Sequence, residues 1–419
     1  MSETDWRRGA RADGIADRLG SNMASTGQSA AKAERPRPGR LARTFLRAER
    51  ALLLGALTTA LFYTFPDALT SGLAPDLKTI ALFVWLFATM LWCAFGVVRH
   101  ADCLAEILGE PAGTLILTFS VIGIEVALIS SIMLHGANEP TLARDTMFAV
   151  LMIILNGMVG LALLLGGLRH REQHYNLQGA KAFLAVLLPL SVLTLVLPVF
   201  TTSSALPEFT PAQAVFFAAL TVALYGVFLV IQTVRHKSQF MQPGVRGQAA
   251  PPDPLAHDET AHEQGHHEIL SVSYHGILLF LTILPVVLLS KKLATFVDYG
   301  TETMQAPAAL GGLIVAILVL APEGLGALHA ALANRLQRSV NILLGSALAT
   351  ISLTAPAVLM IGVVIDRAVE LGLAPVEMIL LLLTLAVATL TFTGGRTNVL
   401  QGAIHLTLFA AYIVLIFNP

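Results

Sequence analysis

The chain is built around eleven apolar runs of about 20 residues that follow one another with short polar breaks. Helices of this length, at about 1.5 Å rise per residue, cross the hydrocarbon core of a membrane. Charged residues make up only 13% of the chain, against about 25% in soluble domains. The sequence therefore predicts an all-α polytopic membrane protein. The predicted spans are 50–70, 78–98, 112–135, 146–168, 181–200, 213–234, 273–290, 307–333, 339–364, 374–393 and 398–417.

Lys and Arg in the short loops predict the orientation. They concentrate in the connections 169–181, 235–240 and 333–339, and residues 1–48 are also rich in Arg. Because basic segments stay in the cytoplasm, we expect a cytoplasmic N-terminus and, with an odd number of spans, an external C-terminus. We interpret residues 1–48 as a basic, disordered cytoplasmic tail and residues 49–70 as a leading membrane span.

The longest polar connection, residues 235–272, divides the other spans into two groups of five. Its Pro, His and acidic residues predict a cytoplasmic linker rather than a folded domain. Since five is odd, the groups 78–234 and 273–419 would be inserted with opposite orientations. Such an inverted repeat is typical of secondary transporters.

Two glutamates interrupt the apolar runs at corresponding places in the two groups. Glu125 lies in "SVIGIEVALIS" and Glu323 in "VLAPEGLGAL", each within the second span of its group. A carboxylate at mid-bilayer is costly and rare unless it has a function. A single one would be explained by a hydrogen bond between helices. Two at matching positions instead predict a binding site at the interface of the repeats.

The spans that follow the glutamates supply further oxygen atoms. Possible additional ligands are Asn156, Ser346, Thr350 and Ser352; Asn341 and Thr354 are other polar residues of the second of these spans. Carboxylate, amide and hydroxyl oxygens bind hard cations such as Ca²⁺, at about 2.3–2.6 Å. Two buried carboxylates cannot both stay ionised and empty, so protons and a cation would compete for them. The sequence therefore predicts a cation/proton antiporter.

At these residues the chain resembles the cation/Ca²⁺ exchanger superfamily, specifically its bacterial Ca²⁺/H⁺ antiporter branch. The resemblance covers residues 50–419 and is strongest at 109–171 and 317–358. It implies that Glu125 and Glu323 correspond to the cation-coordinating acids of the family. It also implies exchange of cytoplasmic Ca²⁺, or alternatively Na⁺ or K⁺, for external protons, with no cofactor and no enzymatic activity.

The sequence departs from the family pattern at three places. The common Gly-Asn pair before each acid is absent, and Gly324 stands where many relatives have His after the second acid. Relatives also carry a Gln in the following helix, where this chain offers Ser346 and Thr350. A proton relay through a His at position 324 is therefore not expected.

The linker contains a second candidate site. Its members are His257, His262, Glu263, His266 and His267, and residues 262–266 match the metalloprotease pattern H-E-x-x-H. That pattern needs a helix, whereas this segment is polar and contains Gly. We interpret the segment as solvated, or as a regulatory site for divalent ions or pH.

Other functions remain open at this stage. An intramembrane hydrolase would use the His-rich linker, and a cation channel would use the two glutamates as a selectivity ring. Glu106 and Glu110, just before the third span, would lie at the inner mouth of a transport path, but a solvated position is the leading explanation for them. We expect the lipid bilayer, Ca²⁺ and protons as partners and no nucleic acid; ion selectivity, stoichiometry and oligomeric state stay open.

Overall fold

The computed structural model describes residues 49–109, 112–135, 140–243, 271–303, 305–307 and 309–418. The chain starts with α1 (Arg50–Thr64) and α2 (Pro66–Leu69). The first half contains α3 (Leu77–Leu108), α4 (Ala112–His135), α5 (Leu142–Met152), α6 (Val159–His170), α7 (Leu177–Leu195), α8 (Leu197–Phe200) and α9 (Pro211–Val230). The second half contains α10 (Val272–Asp298), α11 (Ala309–Leu332), α12 (Leu336–Ala349), α13 (Ala355–Ile365), α14 (Pro375–Thr391) and α15 (Val399–Phe417). Strands β1 (Gln173–His174) and β2 (Arg396–Thr397) pair antiparallel, and a 3₁₀ turn covers Lys237–Phe240.

Nine helical stretches of the described residues are long and apolar enough to cross a membrane. Two shorter apolar helices, α1 and α14, coincide with the first and tenth predicted spans. The prediction of an all-α polytopic membrane protein is confirmed. The exact number of crossings, the inverted repeat and the domain boundaries stay predictions. The His and Glu residues singled out in the linker, and Glu110, lie outside the described residues.

The seventh span is longer than the predicted 273–290. It consists of α10 and a π-turn, Tyr299–Thr303, so the helical stretch passes through Lys291 and Lys292. The ammonium of Lys292 lies 5.0 Å from the ring centroid of Tyr63 on α1. A cation over an aromatic face, on a long apolar stem, explains how a basic residue is accommodated within this helix.

Polar residues cap the helices where the apolar runs begin. Asp76 accepts a hydrogen bond from the Thr79 backbone N–H at 2.8 Å, which starts α3 and, together with the Thr79 hydroxyl, lowers the pKa of Asp76. Thr210 with Gln213, and Asn398 with Gln401, form capping boxes at the starts of α9 and α15. These caps satisfy N–H groups that the first turn of a helix leaves without partners.

Two of the long spans are interrupted near the middle by π-turns. Ile153–Met158 joins α5 to α6, and Thr350–Thr354 joins α12 to α13. Pro356 lies two residues after the second turn and has no N–H to bond the carbonyl of Ser352, which accounts for the local widening. Each interrupted span directly follows the helix that carries a glutamate.

The helices that carry or face the glutamates form the centre of the bundle. In an apolar 18-residue window of Leu142–His170, 78% of the residues are buried. In that of Val399–Phe417, 22% are buried. Helices α5 and α11 approach so closely that a Cβ on Gly312 would lie 2.6 Å from the carbonyl carbon of Asp145. Small residues allow such backbone contacts, which increase the dispersion attraction between helices in a lipid environment.

Candidate cation site

Glu125 is enclosed in the middle of α4. Its side chain is 2% exposed, and its Oε2 accepts a hydrogen bond of 3.0 Å from the hydroxyl of Thr350. Its other oxygen, Oε1, is buried and has no hydrogen-bond partner among the described residues. A buried acceptor without a partner is costly, and a proton or a bound cation would satisfy it.

Glu323 lies on α11 and is partly exposed. Its Oε2 accepts a hydrogen bond of 2.6 Å from the hydroxyl of Ser346 on α12. Pro322 precedes it within the helix and leaves the carbonyl of Leu318 without its usual partner. Gly324 follows it, and a Cβ there would lie 2.4 Å from Cε of Met158, so Met158 fills the space beside the helix. A His at position 324, as in many relatives, would not fit without displacing Met158.

A single row of hydroxyl groups faces both glutamates. Ser346, Thr350 and Thr354 follow one another at intervals of four residues, from α12 through the π-turn. Ser346 donates to Glu323 and Thr350 to Glu125. Thr354 is close enough to interact with the carboxylate of Glu125, and its hydroxyl has no other partner among the described residues. Residues four apart lie on one face of a helix, so this hydroxyl row connects the two acids.

The two carboxylates lie close enough for their charges to interact. Their helices, α4 and α11, pack against each other. In a medium of low dielectric, two nearby negative charges repel each other strongly and favour uptake of positive charge. The arrangement therefore offers carboxylate and hydroxyl oxygens to protons or to a hard cation. Among the described residues, no group of three or more His, Cys, Asp or Glu forms a metal cluster.

The remaining predicted ligands divide between two places. Ser352 is fully buried in the same π-turn, and its hydroxyl has no partner among the described residues. Asn156 is also fully buried, but it donates to the hydroxyl of Thr384 on α14 at 2.8 Å. Its Oδ1 lies 3.4 Å from Nδ1 of His405 on α15, whose Nε2 is 2.9 Å from the hydroxyl of Thr391. These contacts join Asn156 to a polar network distinct from the glutamates.

Sequence reasoning missed Asp102, the titratable residue that lies within electrostatic reach of Glu323 from α3. A signal was available, because Asp102 and Glu106 are one helical turn apart at the polar end of an apolar run. The proximity of Asp102 to Glu323 depends on how α3 packs against α11, which the sequence does not show.

Known proteins resemble this chain in sequence and in fold. A family model described as sodium/calcium exchanger protein matches residues 78–234 and 274–418. The sodium-potassium/proton antiporter ChaA of Escherichia coli (strain K12) is 41% identical over 366 residues, which cover 83% of this chain and 96% of that protein. The Ca²⁺/H⁺ antiporter of Aphanothece halophytica is 25% identical over 267 residues, 62% of this chain and 68% of that protein. The solved structure of native YfkE superimposes with a TM-score of 0.65 at 18% identity, covering 88% of this chain and 99% of that one, and supports the fold.

Proposed function

Because the chain belongs to the sodium/calcium exchanger protein family, a family of membrane transporters, we propose that it exchanges a cytoplasmic cation for external protons with Glu125 and Glu323 as the shared site. The resemblance read from the sequence is confirmed at the level of the family and of its antiporter members. The observation that carries the proposal is the single hydroxyl row that hydrogen-bonds both acids.

The mechanism follows from charge. With both carboxylates ionised and no cation bound, two negative charges would be buried in low dielectric, at a cost of several kcal/mol per ion. Occupation by protons or by a cation removes that cost. A helix rearrangement that alternates access is therefore favoured only in the loaded states, which couples export of the cation to import of protons.

Charge balance makes Ca²⁺ the first cargo to test. One divalent cation neutralises both acids, and the carboxylate and hydroxyl oxygens match its preference for hard ligands. Na⁺ or K⁺ is the second candidate, because the relative that is 41% identical is named a sodium-potassium/proton antiporter. The two possibilities differ in the number of cations that neutralise the two acids, one divalent or two monovalent, and not in the residues involved.

The inverted repeat is part of the proposal. Each glutamate precedes a span with a π-turn, and Asn156 follows Glu125 at the same spacing as Thr354 follows Glu323. The packing of α6 against α15 has a counterpart in the packing of α9 against α13. These correspondences support two halves of opposite orientation. The basic loops support a cytoplasmic N-terminus, and the family of the chain supports a bacterial plasma membrane.

A pH-sensing dye in inside-out membrane vesicles tests the function. The vesicles are acidified by respiration, and Ca²⁺, Na⁺, K⁺ and Mg²⁺ are added in turn. We expect the dye signal to recover with Ca²⁺ at micromolar concentration and to stay unchanged in Glu323→Gln. We also expect a lower pH to raise the cation concentration needed for half recovery, because protons compete for the same oxygens.

Two outcomes would contradict parts of this proposal. Recovery with Na⁺ or K⁺ alone would replace Ca²⁺ by a monovalent cargo and leave the site unchanged. Cation flux that is independent of the pH gradient would overturn exchange and favour a channel. Glu172→Gln is the control, because Glu172 is an exposed carboxylate paired with Arg396 away from the site.

A further inference from the structure

Solvent reaches the two glutamates unequally. Glu125 is 2% exposed, whereas Glu323 is partly exposed. The same gradient follows the α12 face that carries the hydroxyl row: Arg338 is exposed, Ser346 is half-buried and Thr350 is buried. Because Ser346 and Thr350 face the glutamates, this side of α12 points into the protein and not toward lipid. Exposure along it therefore marks a crevice that runs from the start of α12 to Glu323 and closes at Thr350.

Asp102 lies in this crevice. Solvent reaches its side chain, yet protein atoms surround most of it, as expected for a residue in a recess. Its carboxylate is within electrostatic reach of Glu323 on one side and of Arg338 on the other. Helix α3, which carries Asp102, packs against α11, which carries Glu323. Glu106, one turn further along α3, is exposed and also close to Asp102.

The closed end of the crevice independently indicates a ligand. Oε1 of Glu125 is buried and has no hydrogen-bond partner among the described residues. An opening that carries an acid and leads toward an orphaned carboxylate oxygen is the arrangement expected for the uptake path of a cation.

We propose that Asp102 is a transport-path residue that attracts the cation at the inner mouth of the crevice and positions it for transfer to Glu323. This inference rests on the proposed function. The guanidinium of Arg338 competes with the cation, because it neutralises Asp102 when no cation is near. A carboxylate at the mouth raises the local cation concentration, so it affects how readily the cation enters, while the two glutamates hold it. Protons released from Glu323 to this side would leave by the same path.

The test compares the two faces of the membrane. In inside-out vesicles, where the added cation meets the cytoplasmic face, Asp102→Asn should raise the KM for the cation about fivefold at low salt and leave kcat within about twofold. In right-side-out vesicles, where the cation meets the other face, KM should not change. Raising the ionic strength should reduce the difference between variant and wild type, because salt screens an exposed charge.

Two further variants sharpen the result. Asp102→Glu keeps the charge and should restore a near-normal KM, whereas Arg338→Gln removes the competing cation and should lower KM. Glu172→Gln removes an exposed carboxylate from the loop between α6 and α7, and should leave KM unchanged at both faces. Arg338→Gln also serves if Asp102→Asn does not fold, as judged by size-exclusion chromatography in detergent.

The outcomes separate this inference from the proposed function. An unchanged KM in Asp102→Asn, or an equal change at both faces, overturns the role of Asp102, provided that wild type exchanges the cation and Glu323→Gln does not. Absence of exchange in the wild type with every cation instead overturns the proposed function. A raised KM at the cytoplasmic face alone, restored by Asp102→Glu, supports the inference.

Discussion

Glu125 and Glu323 occupy corresponding positions in the sequence but differ in their surroundings. Glu323 receives its hydrogen bond from the helix next to it in sequence, α12, and is partly exposed. Glu125 receives its hydrogen bond from the other half of the chain, at the π-turn beyond α12, and is enclosed. The hydroxyl row of the second half therefore serves both acids. The corresponding turn of the first half carries Asn156, which faces α14 and α15 instead.

This difference indicates that the two halves have divided their tasks. One half supplies an acid and a scaffold, and the other supplies an acid and the hydroxyl groups that link both. Positions that correspond in sequence need not keep equal roles, because each position meets a different partner after packing. The predictions below test how far the division extends.

The largest effect is expected from Glu125→Gln. Although Glu125 is buried, we expect exchange to fall at least about 100-fold, as in Glu323→Gln, because the bound cation would lose one of its two carboxylate partners, and breaking a buried pair of opposite charges costs about 3–5 kcal/mol. The measurement is the initial rate of dye recovery in vesicles with matched protein content. If Glu125→Gln kept more than a tenth of the wild-type rate, the cation site would consist of Glu323 without Glu125.

Accessibility provides the second comparison. A water-soluble carbodiimide, which modifies protonated carboxyl groups that solvent reaches, should label Glu323 about tenfold faster than Glu125, following their difference in exposure. Labelling is measured by mass spectrometry on Glu125→Gln and Glu323→Gln, so that each protein keeps one of the two acids. Equal labelling rates would show that the crevice extends past Thr350, and cation added beforehand should protect both.

The hydroxyl row provides the third comparison. Thr350→Val keeps the shape of the side chain and removes the hydroxyl that donates to Glu125. We expect the KM for the cation to rise about tenfold, because this factor corresponds to the free energy of a hydrogen bond to a charged group. The matched control is Met152→Thr, at the corresponding position of the first half, which should not lower KM. A lower KM in that control would mean that both halves supply ligands.

The fourth comparison concerns the polar network at Asn156. Asn156→Leu leaves Thr384 and His405 without their present partner and should lower the free energy of unfolding by about 1–3 kcal/mol, with KM within about twofold of wild type. Thermal unfolding in detergent measures the first quantity and the vesicle assay the second. Ser352→Ala, which removes a buried hydroxyl without a described partner, is the stability control. A tenfold rise in KM with unchanged stability would instead show that Asn156 is a ligand of the cation.

The smallest effect is expected from the linker. Deleting residues 250–268 shortens a polar connection between the halves, and exchange at saturating cation should change by less than about twofold, since loop length has only a weak influence on stability. A shift of the activation curve with pH or divalent ion would assign the linker a regulatory role. Complete loss of activity, with Glu125→Gln tolerated, would instead favour the hydrolase alternative.

Much of the fold could be predicted from the sequence, because lipid exposure demands long apolar runs and forces the backbone into helices. The two glutamates were also predictable, since a carboxylate in such a run stands out. The direction in which Asn156 points was not, because Asn can face any neighbour that offers a partner. The proximity of Asp102 to Glu323 depends on the packing of α3 against α11, for which the apolar pattern of α3 carries no information.

The four-residue spacing of Ser346, Thr350 and Thr354 has a mechanical consequence. If α12 and the π-turn slid along their axis by one helical turn, about 5.4 Å, each acid would meet the next hydroxyl in the row as it left the previous one. The hydrogen bonds broken and formed would both join a hydroxyl to a carboxylate, so the conformations before and after the shift would be nearly equal in free energy. A reversible transporter needs such a balance, because the ion gradients and not the protein must set the direction of transport.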